Sequence, residues 1–245
     1  MGFFERYPLF AETSPMGSRL DRLNLRHHAI IDWNRHLLEG ARVLDVGSHD
    51  GRWTFAAIQA GAAHVLGVEA RAELVANAER TFAEYGVDRG AYAFRTGDMF
   101  EELGRDPPQA DVVLLLGVFY HVYDHLGLVR LLAETGARHV VVDTQVVPEG
   151  RLHRKHPAMI SLKVEDVSGL GAQAKPHAPG GTFSIVGHPS RAAVRMLFDA
   201  FGFEMEEFDW PGLLAAEGGG ENRDVWHYAH GSRTTFRMTR RADLN

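Results

Sequence analysis

The stretch Val43-Leu44-Asp45-Val46-Gly47-Ser48-His49-Asp50-Gly51-Arg52-Trp53-Thr54-Phe55 decides the fold. It opens as a short strand, apolar except for Asp45, runs into a turn bounded by glycines at 47 and 51, and continues as a helix. Gly47 lacks a Cβ, so the backbone there can approach a ligand closely, and Gly51 allows the turn to enter the helix. The pattern predicts a buried strand, a tight turn and a helix, with a small molecule at the strand's end.

Outward from that stretch the chain alternates. Strands are expected at Arg42–Val46, His64–Glu69, Tyr92–Arg95, Asp111–Leu116 and His139–Val146, and helices at Trp53–Ala60, Ala72–Tyr85 and Leu126–Glu134. The fourth strand, Asp-Val-Val-Leu-Leu-Leu, is too uniformly apolar for a sheet with one wet face. Strands of that kind alternating with helices indicate a parallel sheet covered on both sides. Between Val147 and Pro189 the alternation breaks in a proline-rich segment too long for a simple connection, which reads as an insertion over the mouth of the sheet. Ser190 caps a helix reaching Phe201 and stopped by Gly202. Two more strands are expected near Phe203–Trp210 and Val225–Met238, separated by the glycine-rich loop Glu217–Gly220. Residues 1–38 supply an aromatic arm (Phe3, Phe4, Tyr7, Phe10) and a helix from Ser18 to Leu38, with Ser18 as N-cap. The expectation is one domain over residues 1–245.

Composition narrows the classes of function. The 245 residues are 45% hydrophobic and 24% charged, an ordinary soluble balance, with a formal net charge of −6 that argues against a nucleic-acid surface. With no cysteine, disulfides, thiol nucleophiles, thiolate zinc sites and iron–sulfur clusters are all excluded. The sequence shows neither a signal-peptide pattern nor a long apolar run, so a cytoplasmic protein without a membrane span is expected.

The second strand ends at Glu69, whose carboxylate can accept from both hydroxyls of a ribose, so a nucleoside is expected across the ends of the first two strands. A nicotinamide dinucleotide would want G-x-G-x-x-G for its pyrophosphate. Here His49 and Asp50 stand between the glycines, and acids in and before the turn (Asp50, Asp45) suit a cationic ligand, S-adenosylmethionine.

At this point the sequence resembles the class I S-adenosylmethionine-dependent methyltransferases over residues 40–240. Asp45, Gly47, Ser48 and Gly51 match that family's first motif. Glu69, followed by Ala70, matches its ribose acid, and Thr96-Gly97-Asp98-Met99 matches the segment where an acid usually holds the adenine amino group. Leu116-Gly117-Val118 matches the segment beneath the methionine moiety. One departure is plain, since the family's middle glycine is His49 here. The resemblance implies a Rossmann-like, seven-stranded, mostly parallel sheet with helices on both faces, S-adenosylmethionine as cofactor and S-adenosylhomocysteine as product. The run Leu116-Gly-Val-Phe-Tyr120-His121 and Pro189-Ser190 look like a branch that includes tRNA wobble-uridine-modifying enzymes and small-molecule methyltransferases. The chain is also similar to actinobacterial enzymes that methylate sugars, including methylmannose polysaccharide precursors.

Methyl transfer to a hydroxyl needs alignment and a base. His121, just past the fourth strand, is the candidate base; Tyr120 is placed to orient the acceptor, and Asp143, near the end of the fifth strand, to orient or assist the base. Arg151-Leu-His-Arg-Lys155 could meet a phosphate, and Trp226-His227-Tyr228 at the start of the last strand could stack on a sugar. His153, His156, Glu165, Asp166, His177 and His188 in the insertion permit a divalent metal, but none has the spacing of a zinc helix motif, so none is assigned as a ligand. The reading is an O-methyltransferase for a small hydroxylated acceptor, a sugar or saccharide, acting as monomer or homodimer. A tRNA-directed methyltransferase and a nicotinamide-dependent oxidoreductase are the alternatives.

Overall fold

The computed structural model describes residues 1–12, 20–148, 158–168, 180–217 and 225–242. Nine strands are found among them: β1 (Arg42–Val46), β2 (His64–Glu69), β3 (Tyr92–Thr96), β4 (Val112–Leu116), β5 (His139–Gln145), β6 (Ile160–Asp166), β7 (Phe183–Pro189), β8 (Phe203–Glu207) and β9 (Arg233–Arg240). Seven form one sheet in the order β3-β2-β1-β4-β5-β9-β8. The pairs β1·β2, β1·β4, β2·β3 and β4·β5 are parallel, whereas β9 runs antiparallel between β5 and β8. The strand order reverses at β1 and β4, and in open α/β sheets a ligand lodges at such a point, outside the carboxyl ends of the strands.

The helices are α1 (Phe3–Arg6), α2 (Leu9–Glu12), α3 (Leu20–His27), α4 (Arg35–Leu38), α5 (Arg52–Gln59), α6 (Ala72–Glu84), α7 (Met99–Arg105), α8 (His125–Glu134), α9 (Arg191–Asp199), α10 (Trp210–Ala216) and α11 (Trp226–Ala229). All five residues of β4 are buried because both faces of the sheet are covered. On one face Leu44, Val113, Leu115 and Val142 meet Leu128, Leu132, Val194 and Phe198 of α8 and α9. On the other, Val43, Leu114 and Val141 meet Phe55 and Ala56 of α5 together with Phe3, Phe4 and Phe10 of the arm. The arm docks through its aromatic rings; Phe4 meets Trp53 edge-on at 5.4 Å, and the Leu9 N–H donates to the Tyr85 hydroxyl at 2.9 Å.

Three expectations are corrected. The helix expected over 18–38 is broken by a π turn at His28–Asp32, where Asn34 donates back to the Ile30 carbonyl; Ser18 lies outside the described residues. The strand expected to reach Trp210 ends at Glu207, because Asp209 accepts from the Gly212 N–H and caps α10, with Pro211 in its first turn. The strand expected from Val225 begins only at Arg233. Trp226–Ala229 is helical, and Gly231, at φ +65°, makes the turn between them. The helix α7 follows Asp98 without having been foreseen.

The insertion after β5 carries its own hairpin. β6 and β7 pair antiparallel, and the hairpin is tied down where Gly187 N–H donates to Val122 O (3.0 Å) and Val147 N–H to Pro189 O (2.9 Å). A Cβ on Gly187 would fall 2.5 Å from His125 Cε1, so the hairpin lies directly on the start of α8. Residues 149–157, 169–179 and 218–224, with Arg151–Lys155, His153, His156, His177 and most of the glycine-rich loop, lie outside the described residues. Among the described residues, no helix is long and apolar enough to cross a membrane.

Candidate active site

The turn after β1 is held by two backbone bonds, with the Gly47 and Ser48 N–H groups both donating to Val68 O (2.8 and 3.0 Å). Gly47 has φ +72°, and a Cβ there would lie 2.3 Å from Val118 Cγ2, so any side chain is excluded both by conformation and by space. His49, where the family has glycine, also takes a left-handed conformation at φ +55°, one of the few positions where a non-glycine residue accepts it.

Around this turn the acids divide their tasks. Glu69, at the end of β2, is buried, and its carboxylate accepts from the His49 N–H (3.0 Å) and from the Arg71 N–H and Nε (3.0 and 3.1 Å). Asp50 is paired with the Arg52 guanidinium, which holds its carboxyl well below the usual range despite full burial. The acidity ascribed to Asp50 in the sequence is thus consumed inside the protein. Asp45 keeps that character: it is fully buried, accepts from Thr54 Oγ1 at 2.7 Å, and burial, aided by the nearby Glu69 and Asp50, pushes its carboxyl up to about 7. Ser48 Oγ is buried without a hydrogen-bond partner among the described residues. Asp98 Oδ1 accepts from Phe100 N–H and caps α7, with Met99 as the first helical residue; Ala70 is exposed beside Glu69.

At the exit of β4, Leu116 is buried and Gly117, at φ +83°, donates its N–H to Asp143 O (2.8 Å). His121 follows in a single 3-10 turn, Phe119–His121. Its Nδ1 lies 2.7 Å from Glu165 Oε2 of β6, and its ring lies against that of Tyr120, with centroids 4.1 Å apart. Burial lowers the His121 pKa, opposed by the bond to Glu165. Tyr120 also meets Arg233, whose Nη1 donates to its hydroxyl at 3.2 Å.

Asp143 has different partners from those expected. It is fully buried and accepts from Arg26 Nη2 (3.1 Å) and Arg233 Nε (2.7 Å) on Oδ1, and from Tyr228 Oη and Thr235 Oγ1 (both 2.9 Å) on Oδ2. These partners outweigh the cost of burial and hold its pKa at about 2. The carboxylate that touches His121 is Glu165, not Asp143. Trp226 is half-exposed with His230 stacked on its ring at 4.3 Å, and Tyr228 stacks on Trp210 at 3.8 Å.

Residues 43–143 match the methyltransferase domain family. That match covers the turn, both acids after it and the exit of β4. The chain carries a methyltransferase domain in a class I methyltransferase fold. Its fold is similar to the DhpI–SAH complex (17% identity, 98% of this chain and 95% of that one, TM-score 0.58). It is similar to an S-adenosylmethionine-dependent methyltransferase from Mesorhizobium loti (16%, 88% and 100%, 0.59). It also resembles the N-terminal domain of EvdMO1 determined in the presence of SAH and D-fucose (19%, 91% and 82%, 0.57). Among curated proteins none matches the sequence significantly.

The residues at the turn of this methyltransferase fit the cofactor. An unpartnered buried hydroxyl at Ser48, a backbone cradle at Gly47 that a Cβ would fill, and a carboxyl at Asp45 with no cation paired to it among the described residues suit a nucleoside with a cationic amino-acid end. Among the described residues no three His, Asp or Glu side chains converge as metal ligands. Sequence reasoning missed Arg22, Arg26 and Arg233. The available signal was a pair of arginines spaced i, i+4 beside the apolar stripe of α3, where lysine or glutamate would be commoner on a purely solvated face.

Proposed function

We propose that this methyltransferase methylates a hydroxyl group of a small polar acceptor, a saccharide or a close relative, with His121 as general base. The observation that carries the reading is the 2.7 Å contact between His121 Nδ1 and Glu165 Oε2. An ionised Glu165 can only accept, so the neutral ring keeps its proton on Nδ1 and offers the Nε2 lone pair. Burial favours that neutral form. Glu165 is thus a positioning residue, and Tyr120 flanks the base. Asp45, Gly47, Ser48, Gly51, Glu69, Ala70, Asp98, Met99, Leu116 and Gly117 would hold the cofactor, Glu69 at the ribose and Asp45 toward the cationic end.

The cofactor supplies a methyl group activated by a positively charged sulfur. When bound, it would give that methyl group to the acceptor oxygen and leave as a neutral thioether, while His121 Nε2 would take the hydroxyl proton. Much of the acceleration comes from alignment, and the base adds about 10²–10⁴-fold. The presence of D-fucose in the EvdMO1 domain structure supports a saccharide acceptor. The test is methyl transfer from isotopically labelled S-adenosylmethionine to a panel of sugars and sugar acids, with the product read by NMR. An O-methyl product, lost with His121→Asn, is expected; methyl on nitrogen or carbon, or full turnover by the variant, would sink the reading.

A further inference from the structure

We propose that the acceptor carries an anionic group, a carboxylate or a phosphate, which docks on Arg22, Arg26 and Arg233 beside His121. The proposal rests on the O-methyl-transfer reading above and narrows its substrate class. Three guanidinium groups converge on the single carboxylate of Asp143, and all three are buried, at 6, 9 and 4% exposure. Asp143 spends one oxygen on Arg26 and Arg233 and the other on two hydroxyls. Nothing is left for Arg22, which lies over the Tyr228 ring (5.9 Å) and makes no hydrogen bond with the described residues. The Nε atoms of Arg22 and Arg26 are both buried without a partner among those residues.

Arginine stays protonated in proteins, so the cluster holds two positive charges in excess of Asp143. An uncompensated buried charge costs several kcal/mol, and proteins keep one where a ligand completes the pair. Burial, together with Arg233 and Arg26, works against the charge of Arg22, and Asp143 and Tyr228 offset this only in part. The location is also that of the acceptor. Arg233 bonds Tyr120, next to His121, and a Cβ on Gly117 would lie 3.2 Å from Arg233 Nη2. Arg26 lies over Trp53 at 5.0 Å, so the cluster borders the turn as well. The cofactor adds no net negative charge: its carboxylate is balanced by its ammonium, and its sulfonium adds another positive charge. A neutral sugar cannot supply it either. A carboxylate or phosphate can, and guanidinium groups bind both bidentately.

The test is calorimetric titration of the S-adenosylhomocysteine-saturated protein with inorganic phosphate, D-glucuronate and D-glucose at constant ionic strength. Phosphate and glucuronate are expected to bind at least about tenfold tighter than glucose. Arg22→Gln is expected to weaken both anions about tenfold and leave S-adenosylhomocysteine affinity within about twofold, while Arg22→Lys retains most anion binding. Equal binding of glucose and glucuronate by the wild type overturns the proposal without recourse to any variant. So does a loss of S-adenosylhomocysteine affinity in Arg22→Gln as large as the loss for glucuronate, which would give the cluster to the cofactor's carboxylate. Failure of the wild type to bind S-adenosylhomocysteine at all would instead break the methyl-transfer reading beneath it.

Discussion

Gly47 and Glu69 stand at the ends of strands packed on both faces, whereas Glu165 stands on β6, where five of seven residues are exposed. The first pair is placed by the sheet itself. Backbone bonds from Gly47 and Ser48 to Val68, and from His49 and Arg71 to Glu69, fix the turn before any ligand arrives. Glu165 is placed by a two-stranded hairpin that leans on Val122, His125 and Val147 and shows Leu162, Val164 and Phe183 to solvent. An isolated hairpin is marginal in water, so the acceptor side depends on its docking contacts. On the proposed assignment the cofactor end is therefore preorganised, and the acceptor end is assembled from parts distant in sequence.

The largest effect expected is at the rigid end. Gly47→Val adds a side chain at φ +72° where a Cβ would already lie 2.3 Å from Val118, so S-adenosylhomocysteine affinity is expected to fall by more than about 100-fold. Calorimetry checks this, and wild-type affinity would place the cofactor elsewhere. At the assembled end, His121→Asn is expected to lower kcat by about 10²–10⁴-fold with the same affinity for S-adenosylhomocysteine. A joint loss of binding would erase the distinction between the two ends.

Glu165→Gln sharpens the contrast. Because Glu165 raises the His121 pKa against the lowering caused by burial, its removal is expected to cost about tenfold in kcat and to move the acid limb of the rate profile to lower pH. The base works when neutral, so activity falls as pH drops through its pKa, and the limb follows that pKa downward. A limb that moves up, or does not move, would separate Glu165 from the base.

The buried acid gives a stability test. Asp45 is pushed from 3.8 up to about 7 in the folded chain, so the folded state holds a proton that the unfolded state releases. Stability of the ligand-free protein is then fullest below pH 4 as far as this group is concerned, and its contribution is lost as pH rises toward 7. Asp45→Asn keeps an acceptor for Thr54 and removes that loss. A gain in Tm on the order of 5 °C is expected at pH 8, fading toward pH 4. The smallest effect belongs to the hairpin's outer face, where Val164→Ser, at a residue 73% exposed, is expected to shift stability by less than about 0.5 kcal/mol. A larger loss, measured by denaturant unfolding, would mean that this face is covered.

The same contrast explains what the sequence discloses. Strand periods, the glycine turn and Glu69 are local signals, so the parallel sheet and the meeting of Glu69 with the turn could be read from adjacent positions. Breaks between elements at Asp209 and Gly231 were missed because strand-forming aromatic and β-branched residues stand on both sides of them, and the cap at Asp209 and the left-handed turn at Gly231 overrode that signal. The partners of Asp143 were not legible at all. A carboxylate near a strand end looks the same whether it faces a base or two arginines, and the guanidinium groups lie 117 residues before it and 90 after it in the chain. Glu165 was visible only as one of several scattered acids, because its pairing with His121 spans 44 residues and the docking of the hairpin.

The antiparallel strand β9, set between β5 and β8, has a consequence for the order in which the molecule comes into being. It brings Arg233 and Thr235 to Asp143, so the cluster around Asp143 is incomplete until β9 has left the ribosome. The residues assigned to the cofactor, Asp45 to Gly117, need only β1 to β4 and the helices around them, all synthesised before β5. During synthesis at about 5–20 residues per second, a nascent chain gains the means to hold its cofactor several seconds before it gains the means to use it.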